Sequence, residues 1–270
     1  MKLTGTPDIS KLFDLSGRVA IVFGASGYLG SEFARTLADL GASVLACSRN
    51  KKSCEEVVRE LTVSHIGQRH LAYRCDVTSR ESVHELRDVV LERYDGSLHV
   101  LVNSVMAGLK ATWQDCSEED WLTEIDTSLS GSFRTIQALA PLMVSGGSII
   151  NIASMYGQVA PDYRLYEGDP QHVSPPSYSA AKGGILQLTR YFASFLATEG
   201  IRVNAISPGP FPFESVQAEE GFTSKLRGRT MLDRFGTPSD LRGVVALLAS
   251  DASSYITGQT IAVDGGWTAW

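Results

Sequence analysis

The sequence lacks any segment that would predict insertion into a membrane. No run of apolar residues approaches the roughly 18 needed to span a bilayer, and residues 1–17 lack the apolar core of a signal peptide. We therefore predict a cytoplasmic protein with no membrane partner.

An excess of basic residues is also missing. The chain of 270 residues carries 24 Lys and Arg against 30 Asp and Glu, which gives a net charge of -6 at pH 7. Proteins that bind nucleic acid usually present a basic face to the phosphates. This charge balance argues against DNA or RNA as a partner.

Paired cysteines are absent as well. The four cysteines, Cys47, Cys54, Cys75 and Cys116, form no C-x-x-C motif and show no metal-type spacing with the five histidines. We expect buried free thiols in a reducing compartment, and no metal site.

The sequence does contain a regular alternation of short apolar runs with longer helical patterns. The apolar runs predict strands at 18–24, 43–48, 70–77, 98–103, 147–154, 201–207 and 260–265. The helical patterns cover 28–40, 51–64, 79–94, 118–143, 177–198 and 238–249. Right-handed crossovers make such a chain a single α/β domain with a doubly wound, mostly parallel seven-stranded sheet, Rossmann-like, with helices on both faces. Such sheets bind ligands beyond the carboxyl ends of their strands, so functional residues should follow the strands.

A glycine-rich turn, "FGASGYLG", stands between the first strand and its helix. Its three glycines would let the backbone approach a pyrophosphate, which the N-terminus of the helix attracts. A turn that only joins strand to helix is the alternative. We predict dinucleotide binding by Gly24, Ser26, Gly27, Tyr28, Leu29 and Gly30.

The second predicted strand lacks the terminal acid that would bind the ribose hydroxyls of NAD. Ser48 and Arg49 stand there instead, and a guanidinium can hold a 2′-phosphate through charge-assisted hydrogen bonds. The pattern therefore favours NADP(H), with NAD(H) as the alternative cofactor. A solvated surface charge is the alternative role for Arg49.

Polar residues also follow the third and fourth strands. Asp76, with Val77 beside it, and Asn103 fall where they would reach the adenine side of the same ligand. A helix cap is the alternative role for Asp76, because a helix starts close by.

The stretch "SYSAAKGG" sets Tyr178 and Lys182 four residues apart on one face of a predicted helix. A positive charge beside a phenol favours the phenolate and lowers the pKa of the phenol. Ser154, at the end of the fifth strand, would converge with Tyr178 on the oxygen that becomes negative when a hydride reaches a carbonyl. Chance spacing on a solvated helix, and a turn cap at Ser154, are the alternatives.

Together these motifs resemble the short-chain dehydrogenase/reductase family, from about Leu12 to the C-terminus. The matching stretches are the glycine turn at 24–30, "CDV" (75–77), "LVN" (101–103), "NIAS" (151–154), "YSAAK" (178–182), "RVNAISPG" (202–209) and "ITGQTIAVDGG" (256–266). The resemblance implies nicotinamide-dependent interconversion of a secondary alcohol and a ketone. It makes Tyr178 the acid/base, Lys182 the partner of the nicotinamide ribose and Ser154 the holder of the substrate oxygen.

The same resemblance implies further contacts. The backbone around Ile206 to Gly209, which includes Pro208, would face the carboxamide of the nicotinamide. The chain would form a homo-oligomer: a dimer through the helices at 118–143 and 177–198, or a tetramer that also uses the last helix and strand.

Three positions depart from the pattern of the family. Tyr28 replaces the middle glycine of the turn, and Ser128 replaces a catalytic asparagine on the long central helix. "NSVM" (103–106) replaces "NNAG", which makes that wall of the site bulkier. We expect an altered cofactor fit and a changed rate, with the Ser128 hydroxyl partly substituting for the asparagine.

The segment that separates Ser154 from Tyr178 is about twice as long as is usual for the family, which marks 155–176 as an insertion beside the active site. Its polar side chains suit a polyhydroxylated or anionic substrate: Tyr163, Arg164, Tyr166, Glu167, Asp169 and His172. An ordinary polar surface loop is the alternative. The segment 210–232 is predicted to form a lid over the substrate.

The two ends of the chain resemble the sugar-acid and polyol branch of the family, through "SKLFDLSGRVAIV" (10–22) and "VDGGWTAW" (263–270). This similarity favours a carbohydrate-like small-molecule substrate over a 3-oxoacyl thioester. A weakly catalytic protein that senses nucleotide is a third interpretation. Residues 1–16 would form an N-terminal extension.

Overall fold

The computed structural model describes residues 8–217 and 220–270, and seven strands in these ranges form one sheet. The strands are β1 (Val19–Phe23), β2 (Ser43–Ser48), β3 (Leu71–Arg74), β4 (Leu98–Asn103), β5 (Met143–Ile152), β6 (Arg202–Pro208) and β7 (Thr260–Val263). Their order across the sheet is β3-β2-β1-β4-β5-β6-β7, and each neighbouring pair is parallel. This confirms the predicted doubly wound sheet.

Helices cover both faces of the sheet. In chain order they are α1 (Ile9–Leu12), α2 (Gly30–Asp39), α3 (Lys51–Glu60), α4 (Arg80–Arg93), α5 (Glu118–Glu124), α6 (Gly131–Leu139), α7 (Pro176–Leu196), α8 (Glu214–Gln217), α9 (Glu220–Arg227) and α10 (Arg242–Ala249). Along β1, Ala20 and Val22 pack in the apolar cluster of α2 and α10, whereas Ile21 and Phe23 pack in that of α4 and α6. Because both faces are covered, the strand is apolar throughout, as its sequence indicated.

The winding of the sheet reverses at β1, from which the chain runs out to β3 on one side and to β7 on the other. Phe23, at the end of β1, pairs in register with Cys47 of β2 and with Asn103 of β4. The carboxyl ends of these three strands are therefore level. Doubly wound sheets bind ligands in the crevice at such a reversal, so the turns after these strands frame the candidate site.

The helical stretch predicted over 118–143 is confirmed as far as Leu142, but it is not α-helical throughout. α5 passes into a π-helical turn at Ile125–Ser130 before α6 begins, and a short 3-10 turn at Ala140–Leu142 then leads into β5. Arg134 braces the wide turn by donating to the backbone carbonyl of Asp126 at 3.3 Å and to its carboxylate at 2.5 Å. The π-helical turn carries Ser128, and its residue Thr127 lines the crevice at the carboxyl ends of the strands.

The cysteines of the chain lie mostly in its interior. All four cysteines are free; Cys47, Cys54 and Cys75 are buried as predicted, whereas Cys116 is partly exposed, so its predicted burial was wrong. In the described part of the chain, no helix has the length and apolarity to cross a membrane. Residues 1–7 of the predicted N-terminal extension lie outside the described residues.

Candidate active site

The glycine turn after β1 requires glycine at two of its three positions. Gly24 has a φ of 75°, and an added Cβ would lie 2.0 Å from the carbonyl oxygen of Ser104. A Cβ on Gly30 would lie 2.0 Å from the carbonyl oxygen of Gly24, whereas at Gly27 that distance is 3.1 Å. β1, the loop after β4 and the start of α2 are thus packed backbone against backbone. α2 begins here with no side-chain cap, as expected of a helix terminus that binds an anion.

A first cavity, of about 300 Å³, lies at the carboxyl ends of β1, β2 and β3. It brings together seven of the predicted cofactor residues: Gly24, Ser26, Gly27, Ser48, Arg49, Asp76 and Val77. Arg49 is exposed at the end of β2 and makes no ion pair with any described residue. The cavity therefore presents one unpaired guanidinium to a bound group.

The carboxylate of Asp76 is held in place by Thr78, whose backbone N–H and hydroxyl donate to its Oδ1 at 3.0 and 2.7 Å. Partial burial raises the pKa of Asp76, but these hydrogen bonds and the charge of Arg49 outweigh it and leave the pKa below its usual value. Ser79 caps α4. The alternative role of Asp76 as the cap of that helix is therefore excluded.

Among the predicted cofactor residues, Asn103 has a side chain that turns away from the crevice. It is 2% exposed, its Nδ2 donates to Asn151 at 2.9 Å, and its Oδ1 accepts from the hydroxyl of Thr135 at 2.8 Å. Both polar atoms of this side chain are thus bonded within the interior, and its contact with the ligand stays a prediction. Ser104 and Val105, which follow the strand, line the cavity instead.

A second cavity, of about 470 Å³, runs from the glycine turn to the ends of β5 and β6. Most of the other predicted residues line it, namely Tyr28, Leu29, Gly30, Ser154, Tyr178, Lys182, Pro208 and Gly209. Five residues line both cavities, namely Gly24, Gly27, Ser104, Val105 and Met106. The two cavities therefore form one crevice along the carboxyl edge of the sheet.

Tyr178 and Lys182 lie on one face of α7, as their spacing predicted. Nζ of Lys182 lies 5.7 Å from the centre of the Tyr178 ring and donates to the carbonyl of Ile152 at 2.8 Å. The hydroxyl of Ser154 accepts from the N–H of Tyr156 at 3.1 Å, so the serine does cap the turn after β5. Its hydroxyl also acts on the phenol of Tyr178, whose pKa it lowers. The three side chains thus meet at one point of the crevice.

Burial sets the proton affinities of this pair. Loss of water raises the pKa of Tyr178 to about 12, although the hydrogen bond with Ser154 opposes the rise. Loss of water also lowers the pKa of Lys182 to about 8, against the opposing charge of Glu124. The prediction that Lys182 brings the pKa of the phenol below its usual value was therefore wrong for the chain by itself, because burial dominates.

Ser128 lies in the π-helical turn and is 1% exposed. Its hydroxyl donates to Oε1 of Glu124 at 2.5 Å and lies 3.4 Å from the carbonyl oxygen of Val105. The same carbonyl lies 3.5 Å from Nζ of Lys182. Glu124, which is wholly buried, is a residue that the sequence analysis missed; its i, i+4 spacing to Ser128 was the available signal.

A third cavity, of about 300 Å³, opens beside the Tyr178 phenol and is walled in part by the insertion. Tyr166 and His172 line it, as predicted for polar residues of this segment. Arg164 does not, because its guanidinium binds Asp162 at 2.7 Å and its side chain is 83% exposed. The prediction that Arg164 faces the substrate there was therefore wrong. The remaining residues that the sequence predicted for substrate contact lie outside this wall, namely Tyr163, Glu167 and Asp169.

The segment predicted as a lid, with α8 and α9, forms the opposite wall of the third cavity. Its apolar side chains line the wall, namely Phe211, Phe213, Val216, Phe222 and Leu226. Phe213 also packs on Tyr28, with ring centres 4.9 Å apart. The tyrosine that replaces a glycine in the turn after β1 thus contacts the lid. Residues 218 and 219 of the predicted lid lie outside the described residues.

Lys110, on the loop after β4, is a second residue that the sequence analysis missed. It lines both the second and the third cavity, and no acid among the described residues lines either one. More than a third of the residue is exposed, yet the protein packed around its ammonium group lowers its pKa by burial. No described residue forms an ion pair with it. A lone lysine in a loop has no spacing pattern from which sequence could have found it.

The residues of the crevice fit a nicotinamide dinucleotide. The tight glycine backbone at the start of α2 fits a pyrophosphate, and Arg49 and Asp76 supply polar groups at the adenosine end. Ser154 and Tyr178 present two hydroxyls at the other end. Fold and site together define a nicotinamide-dependent oxidoreductase with a doubly wound sheet.

Comparison with known proteins identifies the family. The sequence model of the family described as enoyl-(acyl carrier protein) reductase matches residues 24–268. The 3-oxoacyl-(acyl-carrier-protein) reductase FabG of Thermotoga maritima is 34% identical over 93% of this chain and 98% of its own. The 2-dehydro-3-deoxy-D-gluconate 5-dehydrogenase of Escherichia coli is 33% identical over 97% of this chain and 99% of its own. The crystal structure of a short-chain type dehydrogenase/reductase from Mycobacterium marinum matches with a TM-score of 0.84 at 35% identity, over 97% and 99% of the two chains.

The chain therefore belongs to the short-chain dehydrogenase/reductase family, and it is an NAD(P)-dependent oxidoreductase.

Proposed function

We propose that this enzyme uses NADP(H) to interconvert a secondary alcohol and a ketone on a carbohydrate-like substrate that carries a carboxylate. The observation that carries the proposal is Lys110, which has no ion pair among the described residues and lines the same two cavities as Ser154 and Tyr178. A sugar acid would supply the missing negative charge and place its carbonyl near the two hydroxyls.

The chemistry follows from where the hydroxyls converge. When bound, the nicotinamide supplies or accepts the hydride. Ser154 donates a hydrogen bond to the substrate oxygen as negative charge develops on it, and Tyr178 gives its proton to the same oxygen. Because burial raises the pKa of Tyr178 to about 12, the phenol is protonated at neutral pH and is ready to act as an acid in ketone reduction. In alcohol oxidation the same group must first lose its proton.

The substrate class is supported by the walls of the third cavity. A carboxylate next to Lys110 would favour the charged ammonium, which burial alone disfavours. Tyr166, His172 and Ser174 offer polar groups to substrate hydroxyls in the same wall. The E. coli relative carries the name of a dehydrogenase of a sugar acid, which agrees with this substrate class.

A 3-oxoacyl thioester is the second candidate substrate. The lid contributes apolar side chains to the third cavity, among them Phe211, Phe213 and Phe222, and an acyl chain would pack against them. The T. maritima relative carries the name of a reductase of such thioesters. The cationic Lys110 favours the sugar acid, because an acyl chain gives its ammonium no partner.

The preference for NADP(H) over NAD(H) is supported by the end of β2. Arg49 is exposed there without an ion pair among the described residues, and Ser48 precedes it in the wall of the first cavity. A guanidinium binds a 2′-phosphate through charge-assisted hydrogen bonds, whereas the ribose hydroxyls of NAD are best held by an acid.

We further propose that the chain forms a homo-oligomer through α6 and α7. An apolar groove of about 360 Å³ lies between these helices, with Phe133, Tyr191 and Phe195 exposed along it. Exposed aromatic clusters of this kind mark association surfaces, and a two-fold dimer would bury the same face on both copies.

The substrate is tested by following the absorbance of NADPH with a panel of keto sugar acids, their uncharged keto-sugar counterparts and 3-oxoacyl thioesters. For Lys110→Met we expect KM for the keto acid to rise at least tenfold, the equivalent of about 1.4 kcal/mol, with KM for the uncharged sugar unchanged. Equal effects on charged and uncharged substrates would contradict the role of Lys110. Faster turnover of thioesters than of any sugar would favour the second candidate.

A further inference from the structure

Glu124 is an acid enclosed in the protein at the end of α5. It is 0% exposed, and in the described part of the chain no hydrogen-bond partner is found for its Oε2. Its Oε1 accepts from the hydroxyl of Ser128 at 2.5 Å. Carboxylates are seldom fully buried without a cation or a full set of donors, because loss of water strongly disfavours the charge. A buried acid with an unsatisfied oxygen therefore calls for an explanation.

Ser128 and the carbonyl group of Val105 lie between Glu124 and Lys182. Ser128, which holds the carboxyl group, lies 3.4 Å from the carbonyl oxygen of Val105, and Nζ of Lys182 lies 3.5 Å from that same oxygen. α5 and the π-helical turn pack directly on α7. At this contact an added Cβ on Gly184 would lie 2.7 Å from the side chain of Leu129, so the two elements approach as closely as glycine allows.

We propose that Glu124 is a positioning residue of the active site, which holds Lys182 in its charged form and Tyr178 in its protonated form and so favours ketone reduction. The proposal rests on the proposed acid/base chemistry of Tyr178.

The electrostatics agree with this geometry. Burial lowers the pKa of Lys182, and the charge of Glu124 raises it; burial and the same charge both raise the pKa of Tyr178. The other titratable groups that line the second and third cavities are Tyr28, Lys110, Tyr156, Tyr166, His172 and Tyr178, and Asp126 lies in the π-helical turn. Asp126 is bound by Arg134, and none of the others is a carboxylic acid. Glu124 is thus the acid that acts on Lys182 among the described residues.

Without Glu124, the pKa of Lys182 falls below its present value of about 8, so the ammonium is lost at a lower pH. If reduction requires the ammonium, the alkaline limb of its pH profile moves to lower pH. The pKa of Tyr178 falls as well, which makes the phenolate needed for alcohol oxidation easier to form.

The first test is Glu124→Gln, with Glu119→Gln on the exposed face of the same helix as the matched control. We expect the alkaline limb of kcat for reduction to move down by about half a pH unit or more in Glu124→Gln, with KM changed less than twofold and no change in the control. Unchanged alkaline limbs in both variants would overturn the proposal.

A second readout needs neither cofactor nor turnover. In the cofactor-free protein labelled with 13C at lysine Cε, the Lys182 signal, assigned by its loss in Lys182→Arg, should titrate at lower pH in Glu124→Gln than in the wild type. An unshifted titration would overturn the proposal. Because this measurement is independent of catalysis, it stands even if Tyr178→Phe stays active and the proposed function fails.

Glu124→Met separates this role from a structural one. The apolar side chain removes both the charge and the unsatisfied oxygen at similar volume, so we expect a melting temperature equal to or above that of the wild type. We expect the same shift of the Lys182 titration as in Glu124→Gln. A lower melting temperature with an unshifted titration would show that Glu124 serves only the fold.

Discussion

Tyr178 and Lys182 are held where little water reaches them, and each therefore favours its uncharged form there. The pKa of the phenol is raised to about 12, while the pKa of the ammonium is lowered to about 8. Sequence spacing predicted that the two side chains would meet, and they do. Spacing does not show how far the two groups are shielded from water. It therefore could not predict that burial would affect their pKa values more than the attraction between their charges does.

Tyr178→Phe tests the acid/base at the scale of one atom. The change removes the phenolic oxygen but keeps the ring, so we expect the Kd for NADPH, measured by its fluorescence, to change less than about twofold. We expect turnover to fall by a factor of about 10² to 10⁴, the usual contribution of a general acid. Tyr163→Phe, an exposed tyrosine outside the cavity wall, is the control and should keep full activity. A Tyr178→Phe enzyme with near-normal kcat would contradict the mechanism.

Arg49→Asp tests the cofactor preference. Loss of a charge-assisted hydrogen bond, worth about 1.5–3 kcal/mol, should weaken NADPH binding by about tenfold to a hundredfold, while the new acid should strengthen NADH binding. The ratio of kcat/KM for the two cofactors is the measurement. Arg74→Asp, at the exposed end of β3 and outside the first cavity, controls for net charge. The same ratio in the Arg49→Asp enzyme as in the wild type would refute the assignment.

Single residues outside a motif were the hardest to find from sequence. Lys110 belongs to no pattern, and Glu124 lies in a helix whose acids are otherwise exposed or only partly buried. Asn103 and Ser104 are adjacent in the sequence, yet the side chain of Asn103 is hydrogen-bonded in the interior, whereas Ser104 lines the cavity. Which neighbour faces the ligand depends on where the strand ends, and that point is fixed by the sheet as a whole.

At the scale of elements, apolar runs located every strand, because a parallel sheet covered on both faces needs continuous apolar segments. The hydrogen-bonding pattern of the central helix was harder to predict. An α-helix and a π-helical turn differ in which backbone carbonyl accepts each N–H. No residue type marks that change, so the sequence predicted a helical stretch over 118–143 without its π-helical turn. The structure shows the turn at Ile125–Ser130, with Ser128 and the bond between Arg134 and Asp126 in it.

The segments predicted as an insertion and a lid were also harder to interpret from the sequence. Composition predicted a polar segment beside the site, but tertiary contacts decide which side chains face inward. Tyr166 is buried and its hydroxyl bonds that of Tyr156 at 2.5 Å, whereas Arg164 is exposed and bonds Asp162. Tyr28, which departs from the pattern of the family, packs on Phe213 of the lid. The substituted residue of the glycine turn therefore contacts the segment predicted as a lid across the crevice.

At the scale of the whole molecule, the described surface has a concentration of aromatic side chains along α6 and α7. Tyr191 and Phe195 are 60% and 62% exposed and stack with ring centres 6.4 Å apart, and Phe133 lies beside Phe192 at 6.3 Å. The sequence predicted that these helices carry apolar faces but could not separate core packing from association. In the structure these rings remain exposed, so packing of the core within one chain does not account for them.

Tyr191→Glu combined with Phe195→Glu tests association through this face. Burying two carboxylates in an apolar contact is unfavourable, so the double variant should separate into smaller species while each chain stays folded. Light scattering after size exclusion measures the mass: we expect a multiple of 29.2 kDa for the wild type and a smaller multiple for the variant. Trp113→Glu, an equally exposed aromatic away from these helices, should keep the wild-type mass. A wild-type protein that elutes as a single chain at micromolar concentration, or a double variant with unchanged mass, would refute association through α6 and α7.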